Sequence, residues 1–452
     1  MFNRIHLFLA LLSSFCLLGS AAAADLAILP GDVTLTGPHA AQRLLVADAE
    51  GGAVVADRTG QAKLTSADPA VAVVDGGVVR PAGDGDTTIT ALVEGKKATC
   101  KVKVVRSKEQ MDWSFRNHVI PMMTKVGCNS GACHGALAGK GGQKLSLRGY
   151  NPEADYFVLT RQARGRRVNL IEPNKSLVLL KPTLSVSHGG GLKLEVGSPD
   201  YNLLADWIAA GAPGPKADDP AIQRLEVLPA AAVLKPKDTL QVLVRAWYSD
   251  GHSEDVTRWA KFNSSEDLVA SVDADGKATV AGYGETAITV WYSNLVAANR
   301  IASPLPNAVD AKTFAAASRN NFIDDLVLKK LESLHIPPSP PCDDAEFIRR
   351  ATLDAAGVLP TPDEVKKFLA DPAVDKRAQL IDALLERPEY VDAWAHNWSD
   401  LLLISTRRLP QQGVWAFYED VRKSVADDEP WDRFARDVLT ASGSRLDDGA
   451  AN

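Results

Sequence analysis

Polar and apolar residues alternate in short runs over residues 25–106. Thr87-Thr88-Ile89-Thr90-Ala91-Leu92-Val93 is the clearest run, and turns rich in Gly and Asp, such as Asp75-Gly76-Gly77 and Gly83-Asp84-Gly85-Asp86, separate them. A period of two predicts half-buried strands, and many short strands with frequent turns predict a small β-sandwich. The pattern returns over 220–303. Ser66-Ala67-Asp68-Pro69-Ala70-Val71-Ala72-Val73 matches Ser265-Glu266-Asp267-Leu268-Val269-Ala270-Ser271-Val272, and Gly83 to Thr90 matches Gly282-Tyr283-Gly284-Glu285-Thr286-Ala287-Ile288-Thr289. Two copies of one unit so far apart imply an insertion between them. From Asn321 the period becomes helical. Phe322, Leu326, Leu328 and Leu331 mark one helix. Val365, Phe368 and Leu369 mark another, with Lys366 and Lys367 turned to solvent, and Leu380, Ile381, Leu384 and Leu385 mark a third. An all-α domain is therefore expected over 318–452, with Pro337-Pro338-Ser339-Pro340-Pro341 dividing its first helix from the rest. Trp394 and Trp398, one helical turn apart, are expected in its core, with His396 facing solvent.

The insert spans 107–215. Trp113 to Ile120 forms an amphipathic opening before Pro121, Tyr201 to Ile208 carries apolar residues at helical spacing, and Gly211-Ala212-Pro213-Gly214-Pro215 is expected to end that helix as a linker. At the other extreme of the chain, Arg4, the apolar run Leu7 to Leu18 and Ala21-Ala22-Ala23-Ala24 read as a signal peptide over 1–24. No later stretch is long enough to span a bilayer. The protein is expected to be exported, to the periplasm or the cell surface, with no transmembrane segment after cleavage.

Composition adds two limits. A chain of 452 residues with 46% hydrophobic and 23% charged residues is a soluble globular protein of several domains. A formal charge of −6 gives no general pull towards nucleic acid or anionic membranes. Cys16 leaves with the signal peptide. Cys100, Cys128, Cys133 and Cys342 remain, too few for a disulfide framework in a chain this long.

The chemistry concentrates in Gly127-Cys128-Asn129-Ser130-Gly131-Ala132-Cys133-His134-Gly135. Covalent haem needs two thiols for its vinyl groups and an adjacent imidazole for iron, usually with two residues between the cysteines. Four intervene here. Residues five apart do not share a helix face, so Asn129, Ser130 and Gly131 would bulge outward, and Cys133-His134 would begin the following helix. The same residues also allow a Cys128–Cys133 disulfide, a zinc ion held by two thiolates and an imidazole, or a plain pair of buried thiols.

Resemblances sharpen these expectations. Each β unit resembles the bacterial Ig-like (group 2) domain of invasin- and intimin-type surface proteins, through the Gly-x-Gly-Glu/Asp-Thr-x-Ile-Thr signature of its closing strands. That resemblance speaks for fold and poorly for function, and implies spacers before adhesins. Within the insert, Phe115-x-x-His118-Val119-x-Pro121, the Cys-His stretch, Gly139-Lys140-Gly141, Ser187-His188-Gly189-Gly190-Gly191 and Leu204-x-x-Trp207-Ile208-x-x-Gly211-Ala212-Pro213 resemble the cytochrome c-like domains of planctomycete-type exported proteins. The resemblance implies haem c on Cys128, Cys133 and His134. It makes His188 the candidate distal ligand, with Met122 and Met123 behind it; His118 reads as a surface or packing residue. Bis-imidazole ligation would imply a lower potential than His/Met ligation.

Residues 321–452 resemble the first of two domains of unknown function that follow such modules. Ile323-Asp324-x-Leu326-Val327, Pro337-x-Ser339-Pro340, Phe347-x-Arg349-Arg350-x-x-Leu353-Asp354, Gly357-x-Leu359-Pro360-Thr361-Pro362 and Arg387-Pro388-Glu389-Tyr390-x-x-x-Trp394 carry the likeness. Arg349, Arg350 and Asp354 fall at helical spacing, which allows a functional face, and a surface ion-pair cluster is the expected reading. Gly449-Ala450-Ala451-Asn452 stops where the resemblance would continue, so a truncated domain is expected.

The reading is a multidomain protein: two all-β Ig-like sandwiches flanking an α-rich cytochrome c-like module, then an all-α domain. Its expected role is electron transfer, coupled to an oxidation outside the cytoplasm, with a redox partner or a cell-envelope component and no nucleic acid. The alternative is a haem-free surface binding or adhesion protein with Cys128 and Cys133 in a disulfide. No constellation for hydrolysis is visible, and no catalytic residue is assigned.

Overall fold

The computed structural model describes residues 24–109, 111, 113–444 and 448–451. The signal-peptide segment lies outside the described residues, apart from Ala24. Two compact units divide the chain, Met1–Pro338 and Ser339–Asn452.

In the first unit the predicted alternation becomes strands. Lys96–Val105 turns Cys100, Val102 and Val104 inward while Lys101 and Lys103 face out. It pairs antiparallel with Gly85–Val93 and parallel with Asp32–Thr36. Ile28, Val33, Leu35, Val46, Ile89 and Cys100 are among the residues that close the first sandwich core. The second copy repeats the plan: Leu295–Ser303 pairs antiparallel with Gly284–Tyr292 and parallel with Ala231–Val233.

The two copies, remote in sequence, pack together. Ala53–Asp57 of the first lies parallel to Ala231–Val233 of the second, with Val54 opposite Ala232, so one seven-stranded sheet runs through both. A reciprocal pair of carboxylates locks the join. Asp57 accepts hydrogen bonds from the backbone N–H of Thr59 (2.8 Å) and of Gln241 in the other copy (3.0 Å). Asp255 accepts from the N–H of Thr257 (2.9 Å) and of Arg43 in the other copy (2.7 Å), with Gln42 Nε2 adding a third donor at 3.3 Å. Thr59 and Thr257 in turn accept from the N–H of Val46 (3.0 Å) and Val244 (2.9 Å). An Asp-x-Thr triplet thus does the same work twice, about a pseudo-two-fold axis.

The insert leaves the first sandwich after Val105 and returns at Ile222. A π-helical turn, Phe115–Val119, leads into α1 (Ile120–Lys125), followed by α2 (Pro152–Thr160), α3 (Leu177–Leu180) and α4 (Pro199–Ala209). Phe115, Met122, Leu145, Leu159, Leu179, Leu203 and Trp207 fill a core continuous with that of the second sandwich. The docking is also polar. Tyr292 donates to the carbonyl of Asn117 (2.9 Å), Trp259 Nε1 to Asp200 (3.0 Å) and Lys125 Nζ to the carbonyl of Ala260 (2.6 Å). The expected linker Gly211–Pro215 instead belongs to this core. Ala212 is buried, Tyr156 donates to its carbonyl (3.0 Å), and Trp207 Nε1 donates to that of Pro213 (3.0 Å).

The helical part is α5 (Ala311–Ala315), α6 (Phe322–Ser333), α7 (Asp344–Ala356), α8 (Pro362–Ala370), α9 (Lys376–Leu385), α10 (Pro388–Leu401), α11 (Gln411–Ala426) and α12 (Trp431–Thr440). Of these, α5 and α6 belong to the first unit rather than to the helical one. Lys330 of α6 pairs with Glu285 of the closing strand, and the N–H of Leu305 reaches the carbonyl of Leu334 at 3.1 Å. In the second unit Trp398 packs with Phe417, Val421 and Phe434, as its spacing predicts. Trp394 departs from expectation. It is 38% exposed and held at the surface by donating to the carbonyl of Ala355 at 3.1 Å. His396 faces solvent, its side chain 72% exposed. The expected Arg349–Arg350–Asp354 cluster does not form among the described residues; only Arg350 pairs, with Glu346 at 3.7 Å.

Candidate functional site

Gly127 to Gly135 folds as successive turns packed against the end of α1. The N–H of Cys128 reaches back to the carbonyl of Met123 (2.9 Å), that of Cys133 to Ser130 (2.9 Å), and that of His134 to Cys128 (3.0 Å). The four-residue spacer is thereby folded shut, and Cys133 and His134 return to the side of Cys128. Gly135 is obligatory here, because a Cβ would run into the carbonyl of Asn129.

Two expectations are corrected. No helix begins at Cys133-His134; further turns follow, with Gly139, Gly141 and Gly142 all at positive φ. Asn129 does not bulge outward either. It is 1% exposed, donates to Thr124 Oγ1 (2.8 Å) and accepts from the N–H of Arg148 through its backbone carbonyl (3.1 Å). Its Oδ1 has no hydrogen-bond partner among the described residues.

The turn Gly139–Gln143 exists to hold His134. The backbones of Lys140 and Gln143 bond to each other, and both carbonyls face His134 Nδ1, at 3.1 and 3.3 Å. A carbonyl only accepts, so Nδ1 carries the proton and Nε2 keeps its lone pair. The buried Arg167 braces the turn, donating to the carbonyls of Gly142 (3.0 Å) and Val158 (2.8 Å). Burial depresses the pKa of His134 below the usual imidazole range, against the two carbonyl bonds that raise it, so the ring is neutral at pH 7.

His188, fifty-four residues on, meets His134. The two rings lie 6.4 Å apart between centroids, with planes inclined by 15°. His188 Nδ1 donates to the carbonyl of Gly191 (3.0 Å), and the Gly189–Gly191 turn leaves room that a side chain at Gly190 would fill. Neither Nε2 has a hydrogen-bond partner among the described residues. Pinning Nδ1 on a backbone carbonyl is how proteins prepare an imidazole for metal ligation. Two imidazoles sharing one metal through nitrogens about 2 Å away would put their centroids roughly 6 Å apart.

All four described cysteines are free thiols. Burial, reinforced by the neighbouring Cys133, pushes the Cys128 thiol up to about 11, so it is protonated at neutral pH. A tetrahedral zinc site needs three or four converging ligands, and among the described residues no three His, Cys, Asp or Glu side chains come together for one. Met122 and Met123 are buried in the insert core.

His118, read from the sequence as a packing residue, belongs to a charged cluster that sequence reasoning missed. The N–H of Ser114 donates to its Nδ1 (2.9 Å), which puts the proton on Nε2, and Nε2 donates to Glu254 at 3.1 Å. Tyr248 donates to the same carboxylate (3.2 Å), and His252 lies between Glu254 (3.5 Å) and Asp250. Burial alone would raise the Glu254 carboxyl, but His118 and His252 hold it well below the ordinary carboxylate range. A carboxyl with a depressed pKa stabilises the fold above its unfolded value, about 4.3, and loses that contribution as the pH falls. Glu254→Gln should therefore lower the urea midpoint at pH 7 and flatten its decline between about pH 5 and 3. A variant with the wild-type acid limb would refute the assignment.

Residues 322–450 match a family described as "Protein of unknown function (DUF1549)", PSCyt2, and residues 260–293 match "Intimin, immunoglobulin-like domain". The first match begins inside the first compact unit, at α6. No curated protein matches the chain. Among solved structures, the chain is similar to domains 5–6 of the S-layer protein SbsC at 13% identity, covering 62% of this chain and 98% of that one with a TM-score of 0.25. It is similar to SbsC domains 4 and 5 at 8% identity, covering 54% and 77%, with a TM-score of 0.17. Scores this low carry no argument about fold or function. The described residues contain no helix long and apolar enough to cross a membrane.

Proposed function

We propose that this protein is an exported c-type haem protein whose role is electron transfer. Cys128 and Cys133 would hold the haem through thioethers, and His134 and His188 would ligate its iron. The observation that carries the reading is the imidazole pair: two rings 6.4 Å apart, each with Nδ1 tied to backbone carbonyls and Nε2 left over. The free, adjacent thiols fit the same group. When bound, haem supplies a one-electron couple, and two imidazole ligands favour a lower potential than His/Met. The chain's own part is to keep His134 neutral, to orient both rings and to fold the long Cys–Cys spacer closed. An oxidation that delivers electrons to the haem would belong to a partner or to the helical unit.

The match to an intimin Ig-like domain favours a second reading, a haem-free surface protein in which the sandwiches do the binding. One preparation separates the two. Full-length protein produced with a c-type haem maturation system should show a Soret band and keep its haem on a denaturing gel. A colourless product with Cys128 and Cys133 oxidised to a disulfide would overturn the haem reading and leave the surface one.

A further inference from the structure

The insert is basic within an acidic protein. Residues 126–198 carry ten Lys and Arg against four Asp and Glu, while the whole chain has 50 against 56. Of those four acids, Asp155 is buried, and Glu153 and Glu172 are already paired with Arg116 and Lys175.

Five of the cations sit on the turns that build the Cys-His site. Lys140 lends its carbonyl to His134. Lys144 precedes Leu145, whose N–H bonds the carbonyl of His134 at 2.8 Å, and Arg148 bonds Asn129 through its own N–H at 3.1 Å. Lys181 Nζ donates to the carbonyl of Ser187, beside His188, at 3.1 Å. The charge of Lys193 is felt at the Cys128 thiol. None of these five side chains has an ion-pair partner among the described residues. Large apolar side chains lie exposed among them: Leu137 (89% exposed), with Leu184, Val186 and Leu192 flanking His188.

We propose that this face is the docking surface for an acidic protein. Unpaired cations around an exposed apolar centre match the anatomy of an electrostatically steered protein interface, in which charge sets encounter and register and apolar contact supplies the rest. A lipid surface is the poorer match, because its cations sit on tight turns rather than on an amphipathic helix. The surface stands on the charges alone. Only the further step, that the partner exchanges electrons here, rests on the haem reading.

The test uses the full chain with poly-L-glutamate as the acidic probe, and with phosphatidylglycerol vesicles and heparin as rival probes. Poly-L-glutamate should bind at low salt and lose at least tenfold in affinity by about 0.15 M, where charges more than roughly 8 Å apart are screened. The Lys140→Glu/Lys193→Glu pair should weaken it by a further tenfold or more. Lys144→Gln/Lys181→Gln, a gentler change, should weaken it about threefold with an unchanged circular dichroism spectrum. No binding of poly-L-glutamate, binding indifferent to both variants, or tighter binding of vesicles or heparin would overturn the proposal. Haem content is read on the same samples, so a colourless protein that still binds poly-L-glutamate sinks the haem reading alone.

Discussion

Cys133→Ala and His134→Ala proteins, matured alongside the wild type, will retain less than about a tenth of its covalent haem on a denaturing gel. His188→Ala will retain most of it. The difference follows from where each residue sits. Cys133 and His134 lie in the folded-back turn that would carry one thioether and the adjacent ligand, and His134 also organises the Gly139–Gln143 turn through two carbonyls. His188 stands on a separate turn closed by its own bond to Gly191. Its loss should leave attachment intact and remove one of the two imidazoles that would hold the iron, changing the reduced visible spectrum. The potential should shift by something on the order of 100 mV, within the span of about 0.8 V that axial ligands command. A His188→Ala protein with the wild-type spectrum and potential would mean that the two rings, although 6.4 Å apart, do not hold the iron together.

The largest effect on stability is expected at the join of the sandwiches. Asp255 takes three hydrogen bonds, from Thr257, Arg43 and Gln42, in a half-buried position. Removing it strands partly buried donors, at roughly 1–3 kcal/mol for each group left unsatisfied. Asp255→Ala should therefore cost about 3 kcal/mol in the urea unfolding of the first unit. Asp57, with two such bonds, should cost about two-thirds as much. Asp255→Asn keeps an acceptor oxygen and sheds the desolvated charge, so it should recover most of the loss. An alanine variant as stable as the asparagine one would show that the two copies are joined by apolar burial and not by these carboxylates.

Much of the fold was legible because it is local. Period-two runs and Gly-Asp turns marked the strands, the repeated Gly-x-Gly-Asp/Glu-Thr segment marked the duplication, and the change to helical period marked α6 onward. The packing of one copy against the other was not legible, since nothing in a strand announces a partner almost two hundred residues away. A signal existed all the same: Asp57-Arg58-Thr59 and Asp255-Val256-Thr257 repeat at matching places in the two units. In the site, the pairing of His134 with His188 came from family resemblance, not from spacing. The expected helix after Cys133 failed because Gly139, Gly141 and Gly142 take left-handed dihedrals that a helix excludes. The Glu254 cluster could not be foreseen, because its members come from the insert and the second sandwich and meet only when those pack.

The parallel join between the sandwiches also sets an order of events during synthesis. Strand Ala53–Asp57 emerges early, yet its neighbour Ala231–Val233 follows about 170 residues later. At the usual 5–20 residues per second, the growing chain carries a bare β-edge for roughly ten to thirty seconds. An unpaired edge is a template for the wrong strand, including the same edge on a neighbouring nascent chain. The insert, made entirely within that interval, thus occupies the period in which this protein is most open to aggregation.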